Sequence, residues 1–262
     1  MHFTKYHGLG NDFIFLDGAT AQSVADPFSL AQRLCNRRTG IGADGLVLLL
    51  PSQTADIRMR IINSDGSEAE MCGNASRCVP LHLLQTGFTR NKQITLETLA
   101  GPIQTEVLDE TRGQVRVNMG TPRNTVLPFT VQTDTHTWTG TTVSMGNPHF
   151  VLFVEDAEKF PVAQIGPQLE NHAAFPHKTN VEFVQVLDKH TVRMRVWERG
   201  AGITQACGTG ACATAAACIL NGQTETDVTV RLDGGDLQIS WPEQKEIWMT
   251  GPARRAFEGD VL

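Results

Sequence analysis

Ala206-Cys207-Gly208-Thr209-Gly210-Ala211 places a cysteine at a turn of small residues, directly ahead of an alanine-rich run over 211–220. That low-polarity run predicts a buried helix closed by Asn221-Gly222. Cys207 then lies at or just before the helix N-terminus. Gly208 leaves room for a group to approach the first N–H donors. The helix dipole favours an anion at that end, so the thiol there is expected to have a lowered pKa. The same arrangement stands 135 residues earlier, at Cys72-Gly73-Asn74.

Outward from the two cysteines, the register continues. Arg58-Met59-Arg60 returns 135 residues on as Arg193-Met194-Arg195, and Asp44-Gly45-Leu46 maps onto Thr179-Asn180-Val181. Gly10-Asn11, ahead of an apolar strand over 13–16, returns 136 residues on as Gly146-Asn147 ahead of 150–154. After each cysteine helix comes an alternating β-meander, over 94–119 and again over 228–249, the second with Asp233-Gly234-Gly235 as a hairpin turn. Four matches at a nearly constant offset read as an internal duplication. The expected fold is α+β: two pseudo-symmetric domains, each a largely antiparallel sheet wrapping a central helix, with the active site in the interdomain cleft. The boundary is expected within 118–125, where Gly120, Pro122 and Pro128 interrupt the pattern. That gives 1–119 with 251–262 as the half carrying Cys72, and 120–250 as the half carrying Cys207.

Within the first half, a helix is predicted over 27–36, with Phe28, Leu30, Ala31, Leu34 and Cys35 as its apolar stripe. Strands are predicted over 46–50 and 57–63, and a turn over 8–12. Pro80 falls inside the first cysteine helix, where it removes a donor and is expected to kink or shorten it. The glycine-rich pieces do not form a strand–G-x-G-x-x-G–helix unit or a phosphate loop.

The 262 residues are 40% hydrophobic and 19% charged, ordinary for a soluble globular chain. A net charge of −6 argues against nucleic acid or an anionic membrane as partner. No apolar run is long enough to span a bilayer, and the N-terminus lacks a signal-peptide core, so a cytoplasmic location is expected. The six cysteines form no C-x-x-C pair and no zinc-finger spacing with histidine, so no metal site is expected. Cys35, Cys78, Cys212 and Cys218 read as small buried hydrophobes.

Two equivalent thiols at two helix N-termini suit a reaction with two mirror-like halves, such as stereochemical inversion at carbon. One thiolate removes a proton from one face, and the other group, as a thiol, protonates the opposite face. N–H groups at Gly73, Asn74, Gly208 and Thr209 suit an α-carboxylate and the charge that develops on it. A thiol oxidoreductase and a non-catalytic amino-acid-binding module remain as alternatives.

Six segments together resemble the diaminopimelate epimerase family: Gly8-Leu9-Gly10-Asn11-Asp12-Phe13, Asn63-Ser64-Asp65-Gly66-Ser67-Glu68, Cys72-Gly73-Asn74, Gly146-Asn147-Pro148-His149, Glu198-Arg199-Gly200 and Ala206-Cys207-Gly208-Thr209-Gly210. The resemblance covers the whole chain in order. It implies cofactor-independent interconversion of LL- and meso-diaminopimelate, in the route to lysine, by a homodimer. It makes Cys72 and Cys207 the acid/base pair, with His149 assisting Cys72 and Glu198 assisting Cys207. Gly73, Asn74, Gly208 and Thr209 become the α-carboxylate site, and Asn11 and Asn147 line the substrate site. Asn63, Asn180 and Arg199 hold the distal carboxylate, and Glu198 the distal ammonium. The chain departs from the family pattern at Ala75 and Ser76, at Ile203 where many members have Glu, and at Gly45 where some have Gln. These departures leave a racemase of another amino acid as the second reading.

Overall fold

The computed structural model describes residues 1–134 and 136–261. The chain divides into two compact units, Met1–Val117 with Gly251–Leu262, and Asn118–Thr250. The first opens with the antiparallel hairpin β1 (His2–Gly8) and β2 (Asn11–Leu16). Its turn is only Leu9-Gly10, with φ of 55° and 87°. Positive φ at both positions gives the turn whose twist matches the flanking strands. The turn expected over 8–12 is therefore tighter, and Asn11 and Asp12 lie inside β2.

Helices α1 (Gly18–Gln22) and α2 (Pro27–Cys35) follow, then β3 (Gly45–Leu50), β4 (Ile57–Asn63), the short β5 (Glu68–Ala69) and helix α3 (Gly73–Gln85). A meander of β6 (Gln93–Thr98), β7 (Gly101–Asp109) and β8 (Gln114–Gly120) leads into the second unit. That unit holds β9 (Arg123–Gln132), β10 (Thr137–Ser144), β11 (Pro148–Phe153), α4 (Val162–Glu170), β12 (Asn180–Asp188), β13 (Thr191–Glu198) and β14 (Gly202–Ile203). Helix α5 (Gly208–Leu220) and the strands β15 (Asp227–Leu232), β16 (Gly235–Ser240) and β17 (Ile247–Pro252) complete it. The chain ends with β18 (Arg254–Asp260), antiparallel to β1.

Both units use the same order of pairings. In the first, β2 is parallel to β3, β3 antiparallel to β4, and β4 antiparallel to β5 but parallel to β6. In the second, β11 is parallel to β12, β12 antiparallel to β13, and β13 antiparallel to β14 but parallel to β15. Helices α3 and α5 each have 13 residues and start 135 residues apart.

Strand periodicity sorts the cores. In the first unit Phe13, Phe15, Val47, Leu49, Met59 and Ile61 pack with Ala75, Cys78 and Val79 of α3. The alternate residues Ile14, Leu16, Leu46, Leu48 and Ile62 pack with Leu30, Ala31, Leu34 and Cys35 of α2. The strands of the first unit are thus apolar on both faces, because successive side chains point to opposite sides. Asp26 caps α2 by accepting from the Phe28 and Ser29 amides at 3.1 and 3.2 Å. Phe28, expected in the buried stripe, is 44% exposed. It sits in the first turn beyond the packed face, with the Arg60 guanidinium 6.0 Å over its ring.

Pro80 does not shorten α3, which runs through it to Gln85 with Pro80 buried. One missing donor costs less here because the helix is packed from Gly73 to Leu83 along nearly all its sides. Among the described residues no helix is long and apolar enough to cross a membrane.

Candidate active site

Both cysteines are the N-caps of their helices, Cys72 of α3 and Cys207 of α5. The first turn of any α-helix leaves its N–H groups without intrahelical partners. Gly73, Asn74, Gly208 and Thr209 occupy those first-turn positions. None of the six cysteines is joined in a disulfide.

In the first unit Cys72 Sγ lies 3.7 Å from Asn11 Oδ1, an acceptor. Asn74 Nδ2 donates to the same oxygen at 3.0 Å, and Arg77, fully buried in α3, donates to Asn74 Oδ1 at 2.9 Å. The other side of the Asn11 amide donates to Asp44 Oδ2 at 2.7 Å, which fixes which way the amide faces. Asp44 is held by Arg37, which also grips Asp12, and Lys5 completes the cluster at 2.8 Å from Asp12. Burial raises the Asp12 carboxyl, but hydrogen bonds and charge from Arg37 and Lys5 outweigh it and hold the pKa at about 2. Gly8 has no side chain because a Cβ there would stand 2.8 Å from Arg77. Asn63, at the end of β4, donates to Ser67 Oγ at 3.0 Å. The sequence reading missed Asp44 and Arg77, although Arg77, a charge inside an apolar helix, was a visible signal.

The second unit surrounds its cysteine differently. Cys207 Sγ accepts from the Gly210 amide at 3.3 Å and lies 3.6 Å from the Thr209 hydroxyl. Asn147 Nδ2 donates to Thr209 Oγ1 at 3.2 Å, and Asn147 Oδ1 lies 3.0 Å from His149 Nε2. His149 Nδ1 meets Glu182 Oε1 at 2.7 Å, with both side chains fully buried. In sequence, Glu182 was a lone charge in the apolar run Val181-Glu182-Phe183-Val184, and that signal went unused.

The Cys207 thiol is raised, not lowered as its place at a helix N-terminus predicts. Burial pushes this thiol well above its ordinary range, and the carboxylates of Glu198 and Glu182 push it further. The Thr209 hydroxyl and the Gly210 amide oppose the rise without reversing it. Partial charges at a helix end act over one turn, whereas a fully desolvated sulfur between two carboxylates loses far more. Glu198 is itself raised by burial, against hydrogen bonds from Thr204 and from the Cys207 thiol.

Just past the end of β13, the Arg199 backbone meets the side chain of Asn180, the first residue of β12. Asn180 Oδ1 accepts from the Arg199 amide at 2.9 Å, and its Nδ2 donates to Pro148 O at 2.8 Å. Asn180, only 3% exposed, thus ties the Glu198-Arg199-Gly200 turn to the start of β11. Glu170 of α4 anchors the same turn. Its Oε1 accepts from the Gly200 amide at 2.9 Å and its Oε2 from Trp197 Nε1 at 2.7 Å. The Arg199 side chain is exposed and reaches His177 O at 3.2 Å. Ile203, in β14, is 40% exposed.

The sequence matches the family described as "Diaminopimelate epimerase" over residues 3–125 and 141–256. A diaminopimelate epimerase from Moorella thermoacetica is 50% identical, with 99% of each chain covered. One from Methanococcus maripaludis is 48% identical, covering all of this chain and 99% of the relative. Among solved structures, a phenazine biosynthesis protein of the PhzF family from Bacillus anthracis superposes with a TM-score of 0.78 at 17% identity, covering 100% of this chain and 99% of that one. A hydroxyproline epimerase from Agrobacterium vitis gives 0.71 at 18%, covering 100% and 90%. These two share the fold. The full-length sequence relatives go further: the chain belongs to the diaminopimelate epimerase family.

Proposed function

We propose that this protein is a cofactor-independent epimerase that interconverts LL- and meso-diaminopimelate in the route to lysine, with Cys72 and Cys207 as its two acid/base groups. The observation that carries the reading is the repeated cysteine N-cap, present in a chain of this family. One cysteine, as thiolate, takes the α-proton. The bonding pair passes into the α-carboxylate, and the other cysteine, as thiol, delivers a proton to the opposite face. In the reverse direction the roles exchange.

First-turn N–H groups at Gly73, Asn74, Gly208 and Thr209 stabilise the developing charge on the carboxylate. Glu198, hydrogen-bonded by the Cys207 thiol, is the group that relieves this cysteine of its proton. Asn11 and Asn147 orient the reacting centre, while Asn63 and Arg199 hold the distal carboxylate, with Glu198 also facing the distal ammonium. Asn180 enters through the turn it fixes. A cytoplasmic homodimer completes the reading, supported by the family alone.

The test is α-proton exchange with deuterated solvent, followed by NMR on LL-diaminopimelate, lysine, glutamate and histidine. Exchange is expected for diaminopimelate, and epimerisation is expected to vanish in Cys72→Ala and in Cys207→Ala with the fold retained. Full turnover in either variant would refute the two-base mechanism. Faster exchange with another amino acid would instead favour the second reading, raised by Ile203.

A further inference from the structure

Glu182 is the deepest charged group near Cys207 and has no part in the proposed chemistry. Its position is set by strand alternation. Val181 and Phe183 point to the core under α4, so Glu182 points to the α5 face. On the parallel neighbour β11, Phe150 also faces α4, and His149 therefore shares the α5 face with Glu182. The fit against α5 is close: a Cβ on Gly210 would stand 2.8 Å from Glu182 Oε1 and 3.1 Å from Cys207 Sγ. Glu182 Oε2 has no hydrogen-bond partner among the described residues. A fully buried carboxylate with an unpartnered oxygen costs stability, so packing alone does not account for it.

From Glu182 a line of hydrogen bonds runs to the sulfur: Glu182 Oε1 to His149 Nδ1 at 2.7 Å, His149 Nε2 to Asn147 Oδ1 at 3.0 Å, Asn147 Nδ2 to Thr209 Oγ1 at 3.2 Å, and Thr209 Oγ1 to Cys207 Sγ at 3.6 Å. We propose that Glu182 is a positioning residue: sharing one proton with His149 Nδ1, it leaves Nε2 as the hydrogen-bearing nitrogen, and the polarity passes through Asn147 so that the Thr209 hydroxyl donates to the Cys207 sulfur. Each link constrains the next. An amide that accepts on its oxygen donates from its nitrogen, and a hydroxyl that accepts from that nitrogen has its own proton free. The polarity is the same whether the shared proton of the pair sits on Glu182 or on His149. In either state Nε2 carries a hydrogen.

This inference rests on the role proposed for Cys207 but is read without substrate. The charged groups acting on the sulfur are Glu198 from β13 and Glu182 from β12, and His149 from β11 acts on both of these carboxyl groups. Glu182→Gln removes the charge and keeps the line, because its amide donates to Nδ1 and leaves Nε2–H in place. Glu182→Leu removes both. The two variants share the loss of charge and differ in whether the line is kept. The readouts are kcat, KM and the pH midpoint of Cys207 alkylation by iodoacetamide, quantified by mass spectrometry with Cys72 in the same sample as internal reference.

The expected result is a Cys207 midpoint about one pH unit higher in Glu182→Leu than in Glu182→Gln, with Cys72 unmoved. Correspondingly, kcat is expected to be about tenfold lower in Glu182→Leu, with KM within about threefold. Asn147→Ala cuts the same line at a half-buried position if Glu182→Leu does not fold, and should raise the midpoint likewise. Equal midpoints in Glu182→Leu and Glu182→Gln, or an unmoved midpoint in Asn147→Ala, overturn the proposal. Full turnover in Cys207→Ala would refute the epimerase mechanism and leave the hydrogen-bond line to be judged by alkylation alone.

Discussion

Replacing Glu170 by Gln tests whether the turn that carries Glu198 and Arg199 is held from behind by a buried carboxylate. Glu170 is 5% exposed and accepts two neutral donors, Trp197 Nε1 at 2.7 Å on one oxygen and the Gly200 amide at 2.9 Å on the other. Lys178 Nζ adds an ion pair at 3.6 Å from an exposed side chain. A glutamine keeps one accepting oxygen and turns its NH2 toward a second donor. One charge-assisted bond is lost, a cost of about 1.5–3 kcal/mol. The exposed lysine pair adds about 0–1 kcal/mol. Urea unfolding at pH 7 should therefore show Glu170→Gln destabilised by about 2–3 kcal/mol.

The pH dependence has a definite sign. Burial raises the Glu170 carboxyl, but the bonds from Trp197, Gly200 and Lys178 outweigh it and hold the folded pKa below the usual range. A depressed folded pKa contributes stability that is present above the unfolded pKa and lost as pH falls through the folded one. The gap between wild type and variant should thus narrow below about pH 4. In turnover, loosening the Gly200 anchor should raise KM and lower kcat together, each by about tenfold, because the turn carries both Arg199 of the distal subsite and Glu198, which accepts from the Cys207 thiol. A stability loss under about 0.5 kcal/mol, or a gap that widens in acid, would refute this account of the turn.

Asp12→Asn should lose about 2 kcal/mol at pH 7, since the wild-type carboxyl is held at about 2 by Arg37 and Lys5. This stabilisation is present above the ordinary carboxylate range and lost as pH falls through about 2, so equilibrium unfolding curves of variant and wild type should converge there. Constant separation down to that pH would show that the cluster is not the cause. Gly166→Ala gains helix propensity of about 1 kcal/mol, yet its Cβ would stand 2.4 Å from Trp197 Cγ. A net loss of about 1–3 kcal/mol is expected in thermal unfolding, and a variant as stable as wild type would contradict the packing.

Much of the local structure was legible because it rests on short-range rules. Strand β4 fell on 57–63 as the alternation of Ile57, Met59 and Ile61 predicted. The two cysteine helices followed from small residues after a turn, and their shared register from a repeat visible in the letters alone. Pro80 misled because its penalty is local, while the burial of α3 along its length offsets it. Phe28 misled because a helical period gives a stripe and not its edges.

The sequence by itself determined where the thiols stand: each at a helix N-cap, 135 residues apart, in a chain of recognisable family. Tertiary structure decided what the Cys207 thiol experiences. From the helix dipole alone it was expected to be lowered; it is raised, because β12 and β13 bring Glu182 and Glu198 beside a sulfur that folding has stripped of water. Desolvation and charge at close range depend on distances between residues far apart in the chain, and no local pattern encodes them. The same holds for Glu170, which meets Gly200 across 30 residues, and for Asp44, which meets Asn11 across 33.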